Sequence, residues 1–194
     1  CSSDLNVQYM QGKGMLKNEW MSVSGRTMGP EYGIAQPLGN AIAAPVMILK
    51  SCIGNRSLGW DLLPPGSEQF EHEGKVYAGY KDSPDSWPKG TEPKPVNWYA
   101  GKQYDDDIGD AKKALADLDK HYPDAKSYEV AGFFFWQGEK DCGNPVHAMR
   151  YEQNLIAFIK QLRKTLGRAD AAMMPANRAD AQIILIFLHE HHLR

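Results

Sequence analysis

Glu129-Val-Ala-Gly-Phe-Phe-Phe-Trp136, followed at once by Gln137-Gly-Glu-Lys-Asp141, decides how this chain is read. The first eight residues are too continuously apolar for a strand with one wet face, so they read as a strand buried on both sides. The next five crowd a carboxamide, a glycine and charged side chains onto one turn. Two other segments share the buried-strand character: 45–51, which begins Pro45-Val-Met-Ile-Leu49, and 182–188, which holds Ile183-Ile-Leu-Ile-Phe-Leu188. Between them the period changes. Ile108, Ala111, Leu115, Leu118 and Tyr122 recur at intervals of three and four behind Asp105-Asp-Asp107, which predicts a helix over 107–122 stopped by Pro123. Tyr151, Leu155, Phe158, Ile159, Leu162 and Leu166 predict a second, core-facing helix from about Pro145 to Leu166, with Gly167 just beyond it. A shorter helix is expected over Tyr32 to Ala43, behind Gly29-Pro30-Glu31.

Buried strands alternating with amphipathic helices predict an α/β fold, a parallel sheet covered on both faces in three α/β/α layers. The chain's 194 residues fit one domain. Residues 1–28 read as polar and irregular. Residues 62–104 read as a long irregular insertion, rich in proline and carrying Tyr77, Tyr80, Trp87, Trp98 and Tyr99. Those aromatics fit either a satellite core under the loop or a rim on which sugar rings stack. Hydrophobic residues at 42% and charged residues at 24% exclude wholesale disorder. Twenty-two basic against 24 acidic side chains give a net charge of −2, so no basic excess points to nucleic acid or an anionic membrane. No apolar run approaches the ~20 residues of a membrane-spanning helix. Cys1, Cys52 and Cys142 have no paired spacing, so neither a disulfide framework nor a metal site is expected.

In such folds ligands gather outside the carboxyl ends of the strands. Attention therefore falls on the residues after Ser51 and after Phe135. In Ser51-Cys-Ile-Gly-Asn-Arg-Ser-Leu-Gly-Trp-Asp61, Gly54 stands where the strand must turn, and its missing Cβ lets a backbone N–H approach a ligand. Gln137 to Asp141 form the second loop, for which helix capping and turn chemistry are the competing account.

Gly29-Pro-Glu-Tyr-Gly-Ile-Ala35, the strand running into Ile53-Gly-Asn-Arg-Ser-Leu58, and Trp136-Gln-Gly-Glu-Lys-Asp141 together resemble the sialate O-acetylesterase and acetylxylan-esterase-like family of SGNH-type serine hydrolases. The resemblance runs from about Gly29 to Leu166. It implies an SGNH-hydrolase or flavodoxin-like α/β/α fold, incomplete at both ends here, and hydrolysis of acetyl esters on carbohydrate without a cofactor. It implies a periplasmic or secreted bacterial protein. By position, Gly54 matches the family's backbone oxyanion donor, Gln137 its side-chain donor, and Glu139 an acid that organises the loop. Asn55, Arg56 and Trp60 are the expected substrate contacts at the rim. Preorganised donors of this kind are worth about 10²–10³ in rate each.

The family's Gly-Gln-Ser-Asn and Asp-x-x-His motifs have no match. Ser57 is the only serine near the expected active edge, and the family keeps it as a structural residue. His189, His191 and His192 read as a terminal tail before a base or a metal site, and His72, His121 and His147 as surface or capping residues. Asn55-Arg56-Ser57 is also a glycosylation sequon, discounted because a glycan would block the site. Cys1-Ser-Ser-Asp4 fits a lipid-modified start or a chain cut from something longer. The expectation is the central portion of an acetylesterase domain, with nucleophile and base outside it. The alternative is a carbohydrate-binding or scaffold protein that kept the fold and lost the triad.

Overall fold

The computed structural model describes residues 5–12, 19–20, 31–124, 127–166 and 182–188. In chain order the elements are β1 (Leu5–Gly12), β2 (Glu19–Trp20), α1 (Glu31–Ala41), β3 (Val46–Cys52), β4 (Phe70–His72), β5 (Lys75–Tyr77), β6 (Ser86–Pro88), α2 (Lys102–Ala116), α3 (Leu118–His121), β7 (Glu129–Trp136), α4 (Glu139–Cys142), α5 (Pro145–Thr165) and β8 (Gln182–Leu188). The chain divides into two compact units. One is drawn from Cys1–Ile53, Gly109–Trp136 and Asp170–Leu188, the other from Gly54–Ile108, Gln137–Ala169 and His189–Arg194.

The first unit holds a five-stranded sheet in the order β2-β1-β3-β8-β7. β3 pairs with β8 in parallel from Val46↔Gln182 to Cys52↔Leu188. β7 and β8 are also parallel, with an irregularity between Val130 and Gly132. β1 pairs in parallel with β3 and antiparallel with β2. A continuous apolar run belongs in the middle of a sheet, and β3 is buried throughout Val46 to Ser51. α1 lays Ala35 against Val46 and Ile48, with Ile34, Leu38, Ile42 and Ala131 packed around them.

Three expectations need correction here. β7 is not buried on both faces: it is an edge strand, and Phe134 and Trp136 are exposed, the latter at 57%. The expected helix over 107–122 begins earlier, at Lys102, and breaks at Asp117 into α2 and α3. β1 and β2 lie in residues read as irregular. Leu5, Val7 and Tyr9 alternate with Asn6 and Gln8, a period-two signal diluted by its polar members.

The second unit turns residues 62–104 into structure of their own. β4, β5 and β6 form a three-stranded antiparallel sheet. Leu63, Ala78 and Ala100 are buried together, and Trp60 and Trp87 pack against them, so of the five aromatic residues of this stretch Trp87 covers a satellite core. On α5, Phe158 and Leu162 are buried, and Tyr104 meets the Phe158 ring edge-on at 5.8 Å. Ile159, expected on that face, is exposed at 38%, while Asn154 and His147 are buried. The buried stripe therefore keeps Phe158 and Leu162 from the apolar pattern and takes in two polar residues, of which His147 meets Asp85. Among the described residues no helix is long and apolar enough to cross a membrane.

Candidate functional site

The site is built entirely by the second unit, from the loop after β3 and the loop that leads into α4 and α5. The first loop reverses at Asn55, which has φ 63°, a left-handed conformation that asparagine tolerates better than most residues. The three residues that follow Arg56 have their backbone N–H groups held by carboxylates. Ser57 N donates to Asp61 Oδ2 at 2.8 Å, Leu58 N to Asp141 Oδ2 at 2.8 Å, and Gly59 N to Asp141 Oδ1 at 2.8 Å. The Ser57 hydroxyl donates to the same Asp61 oxygen at 3.2 Å. Ser57 is buried, so its hydroxyl is tied into the loop. No hydrogen bond among the described residues uses the N–H groups of Gly54, Asn55 or Arg56.

Gln137 closes the arrangement. Its Nε2 donates to Arg56 O at 2.8 Å and to Asp141 Oδ2 at 2.5 Å. Both partners only accept, so the amide is oriented with its nitrogen toward them. Its Oε1 is buried without a hydrogen bond. Both carboxamide hydrogens are thus engaged, and donation to an oxyanion requires one bond to be exchanged. Tyr151 on α5 donates its hydroxyl to Gln137 O at 2.7 Å and fixes the loop from behind. Glu139 opens α4 and is exposed.

Arg56 extends over the Trp98 ring at 4.6 Å and approaches Asp61 at 3.4 Å. Lys102 is the second cation against the same ring, at 5.2 Å. The Asp61 carbonyl receives Gln103 N at 2.9 Å and the Trp60 carbonyl receives Gly101 N at 2.8 Å, which fastens the loop to the start of α2. Next to it Tyr80 and Tyr99 donate their hydroxyls to the two oxygens of Asp105. Burial, and then the bond to that carboxylate, push the Tyr99 phenol up to about 12 and the Tyr80 phenol higher.

A cavity of about 590 Å³ opens between these parts, within the range of small-molecule sites. It brings together the expected site residues Asn55, Trp60 and Glu139, and adds Asp61, Asp85 and His147. Gly54, Arg56 and Gln137 do not line it, although the Gln137 bond to Arg56 O ties the two loops behind it. His147 is not the surface residue expected. Asn144 caps α5 by accepting Val146 N and His147 N, Pro145 takes the first helical position, and the His147 ring turns inward. Its side chain is 8% exposed, and Nε2 lies 3.1 Å from Asp85 Oδ1. No local sequence signal marks Asp61, Asp85 or Asp141 as a site residue, and His147 reads from sequence as a surface or capping residue. Asp141 stood in a suspect loop, but its partners are 82 and 83 positions away. The serines and cysteine before residue 29 and the histidine tail, His189 to His192, lie outside the described residues.

A family model described as carbohydrate esterase, sialic acid-specific acetylesterase matches residues 85–181, half of the chain. No curated protein and no solved structure matches.

Proposed function

The chain belongs to the sialic acid-specific acetylesterase family of carbohydrate esterases, and from that premise we propose that it serves as the oxyanion-binding and sugar-binding part of a carbohydrate O-acetylesterase. Attack on an acetyl ester drives negative charge onto the carbonyl oxygen, and fixed N–H donors stabilise that charge only if they are held before the reaction. In this reading the Gly54 N–H is the backbone donor. Gln137 is the side-chain donor once its bond to Asp141 is exchanged for one to the substrate oxygen. Glu139 organises the loop, and Asn55, Arg56 and Trp60 contact the sugar. The attacking serine and the base histidine are assigned to segments flanking residues 1–194. The fold is read as three-layer α/β/α of the SGNH kind, in one partial domain with 62–104 as its insertion, and the protein as periplasmic or secreted.

The observation that supports this most is the Gln137 bond to Arg56 O at 2.8 Å, because it joins the two loops that carry the family resemblance. The N–H groups of residues 57–59 are consumed by Asp61 and Asp141, which leaves those of residues 54–56 as the loop's available donors. The test is acetate release from an acetylated sugar and from an activated acetate ester, by residues 1–194 and by a protein extended at both ends. The extended protein is expected to turn over and the short chain to show little activity. An extended protein without turnover but with sugar binding intact overturns the esterase reading in favour of a binding protein.

A further inference from the structure

We propose that a single ordered water stands between α5 and the turn before β4, as the hydrogen-bond partner of Asn154. His147, Arg150 and Asn154 recur at intervals of three and four along α5, so they share one face of that helix. The first of them meets Asp85. Asn154 is only 6% exposed, and among the described residues its side-chain amide makes no hydrogen bond. Arg150 lays its guanidinium over the Phe70 ring at 4.0 Å, and among the described residues it forms no ion pair. A carboxamide carries two donor hydrogens and an acceptor oxygen. When buried, such a group nearly always has a partner, which is either protein or water.

The space for that partner lies beside it. Asn154 and Arg150 line a cavity of about 10 Å³ with Ser67, Glu68, Phe70 and Gly59. That volume holds one water and nothing as large as a sugar. The lining also meets a buried water's need for several polar partners. Arg150 and the Asn154 NH₂ group are donors, and Asn154 Oδ1 is an acceptor. Ser67 donates its hydroxyl to Pro64 O at 2.8 Å, which leaves its own oxygen able to accept. Charge decides against an ion. Arg150 and Glu68 line the same cavity, so a cation meets one like charge and an anion the other. Water both gives and takes hydrogen bonds, and so suits both sides. The Ser67 carbonyl receives Tyr80 N at 2.8 Å, so a water on Ser67 ties α5 to the turn that anchors the small sheet. Gly59 and His147 line both this cavity and the larger one, which therefore share a wall. The proposal stands independently of the acetylesterase reading.

The test is a crystal structure of the 194-residue chain at a resolution that shows ordered water, from crystals grown with sodium bromide in place of chloride. It is joined by NMR cross-relaxation between water and the Asn154 side-chain amide. One water within hydrogen-bond distance of Asn154, with no anomalous bromide signal there, is the expected result. The NMR spectrum should show a cross-peak from that water to the Asn154 Nδ2 hydrogens. Asn154→Leu replaces the amide's donors and acceptor by apolar volume and should expel the water, with the Ser67 bond to Pro64 O unchanged. An anomalous bromide peak between Arg150 and Asn154 overturns the proposal in favour of an anion. A direct bond from the Asn154 amide to a protein group, or a cavity without density in the unsubstituted chain, overturns it as well. So does a folded Asn154→Leu variant that keeps the water in place. Should that variant fail to fold, the unsubstituted chain alone decides the matter. Acetate release by the extended protein bears on the acetylesterase reading only, so either can fail without the other.

Discussion

Leu58 and Asp141 stand 83 positions apart in the chain, and the Asp141 carboxylate accepts the Leu58 backbone N–H at 2.8 Å. The same carboxylate takes Gly59 N and the Gln137 amide, and Asp141 is only 1% exposed. One side chain thus sets the spacing between two loops. Asp141→Ala should cost about 3 kcal/mol of stability, because a stranded buried N–H costs about 1–3 kcal/mol and two are stranded at once. Urea denaturation checks it: the midpoint should fall with the slope unchanged. In an active extended protein the turnover number should fall with it, since the loop carrying Gly54 loses its tether.

Gln137 separates a geometric role from an electrostatic one. Gln137→Ala removes both bonds of Nε2 and any donation to an oxyanion, and should lower turnover by about 10²–10³ in the extended protein. Gln137→Glu keeps the shape but faces two acceptors, Arg56 O and Asp141 Oδ2, with a third. It should be less stable than Gln137→Ala near neutral pH and recover on acidification, when the new carboxyl is protonated and can donate. Thermal unfolding across pH distinguishes the two variants.

Features set by a local run of residues are legible in the sequence, and features set by distant partners are not. The segments 129–136 and 182–188 have the same limits as β7 and β8, because a long apolar run announces itself without context. β4, β5 and β6 span three residues each, too short for any period to show. Asp117 interrupts a helical stripe whose three-and-four spacing continues across it, so the break between α2 and α3 left no mark in the pattern. In the site, Asn55, Trp60 and Glu139 follow from their position after strands. Asp85 and His147 do not: they are 62 positions apart, and a single histidine near a helix start looks like a capping residue until its ring is seen facing a carboxylate.

Tyr80 and Tyr99 predict a loss of stability in alkali. Both phenols are raised above their ordinary value of 10.0, Tyr99 to about 12, by burial and by donation to Asp105. The folded state therefore favours the protonated phenols. Their contribution is complete below about pH 10 and is lost as the pH climbs through the folded value near 12. A phenolate absorbance titration should show Tyr80 and Tyr99 ionising late, alongside Tyr104, whose phenol burial also raises, together with unfolding. Asp105→Asn should bring the Tyr80 and Tyr99 ionisations to lower pH, whereas substitution of the exposed Tyr128 should leave them in place.

Gly101 carries the last prediction. It has φ +89°, a conformation other residues adopt only with strain, and it stands where the insertion meets α2. Its N–H donates to Trp60 O at 2.8 Å, and its carbonyl accepts Asp105 N at 2.9 Å, so it links the cavity-lining tryptophan to the carboxylate held by the two tyrosines. A Cβ there would press on the Leu63 carbonyl and come within 2.6 Å of the Tyr80 ring. The backbone oxygen has no rotamer to escape into, and the ring cannot swing away without breaking its bond to Asp105. Gly101→Ala should therefore cost about 2–4 kcal/mol, the sum of a left-handed residue and an overpacked contact. Gly90→Ala is the comparison: φ is +80° there and nothing lies within 4 Å of the added Cβ, so only the backbone strain, about 1–2 kcal/mol, should appear. Equal losses for the two variants, measured by urea denaturation, would show that the Leu63–Tyr80 contact yields and that backbone conformation alone sets the requirement for glycine at 101.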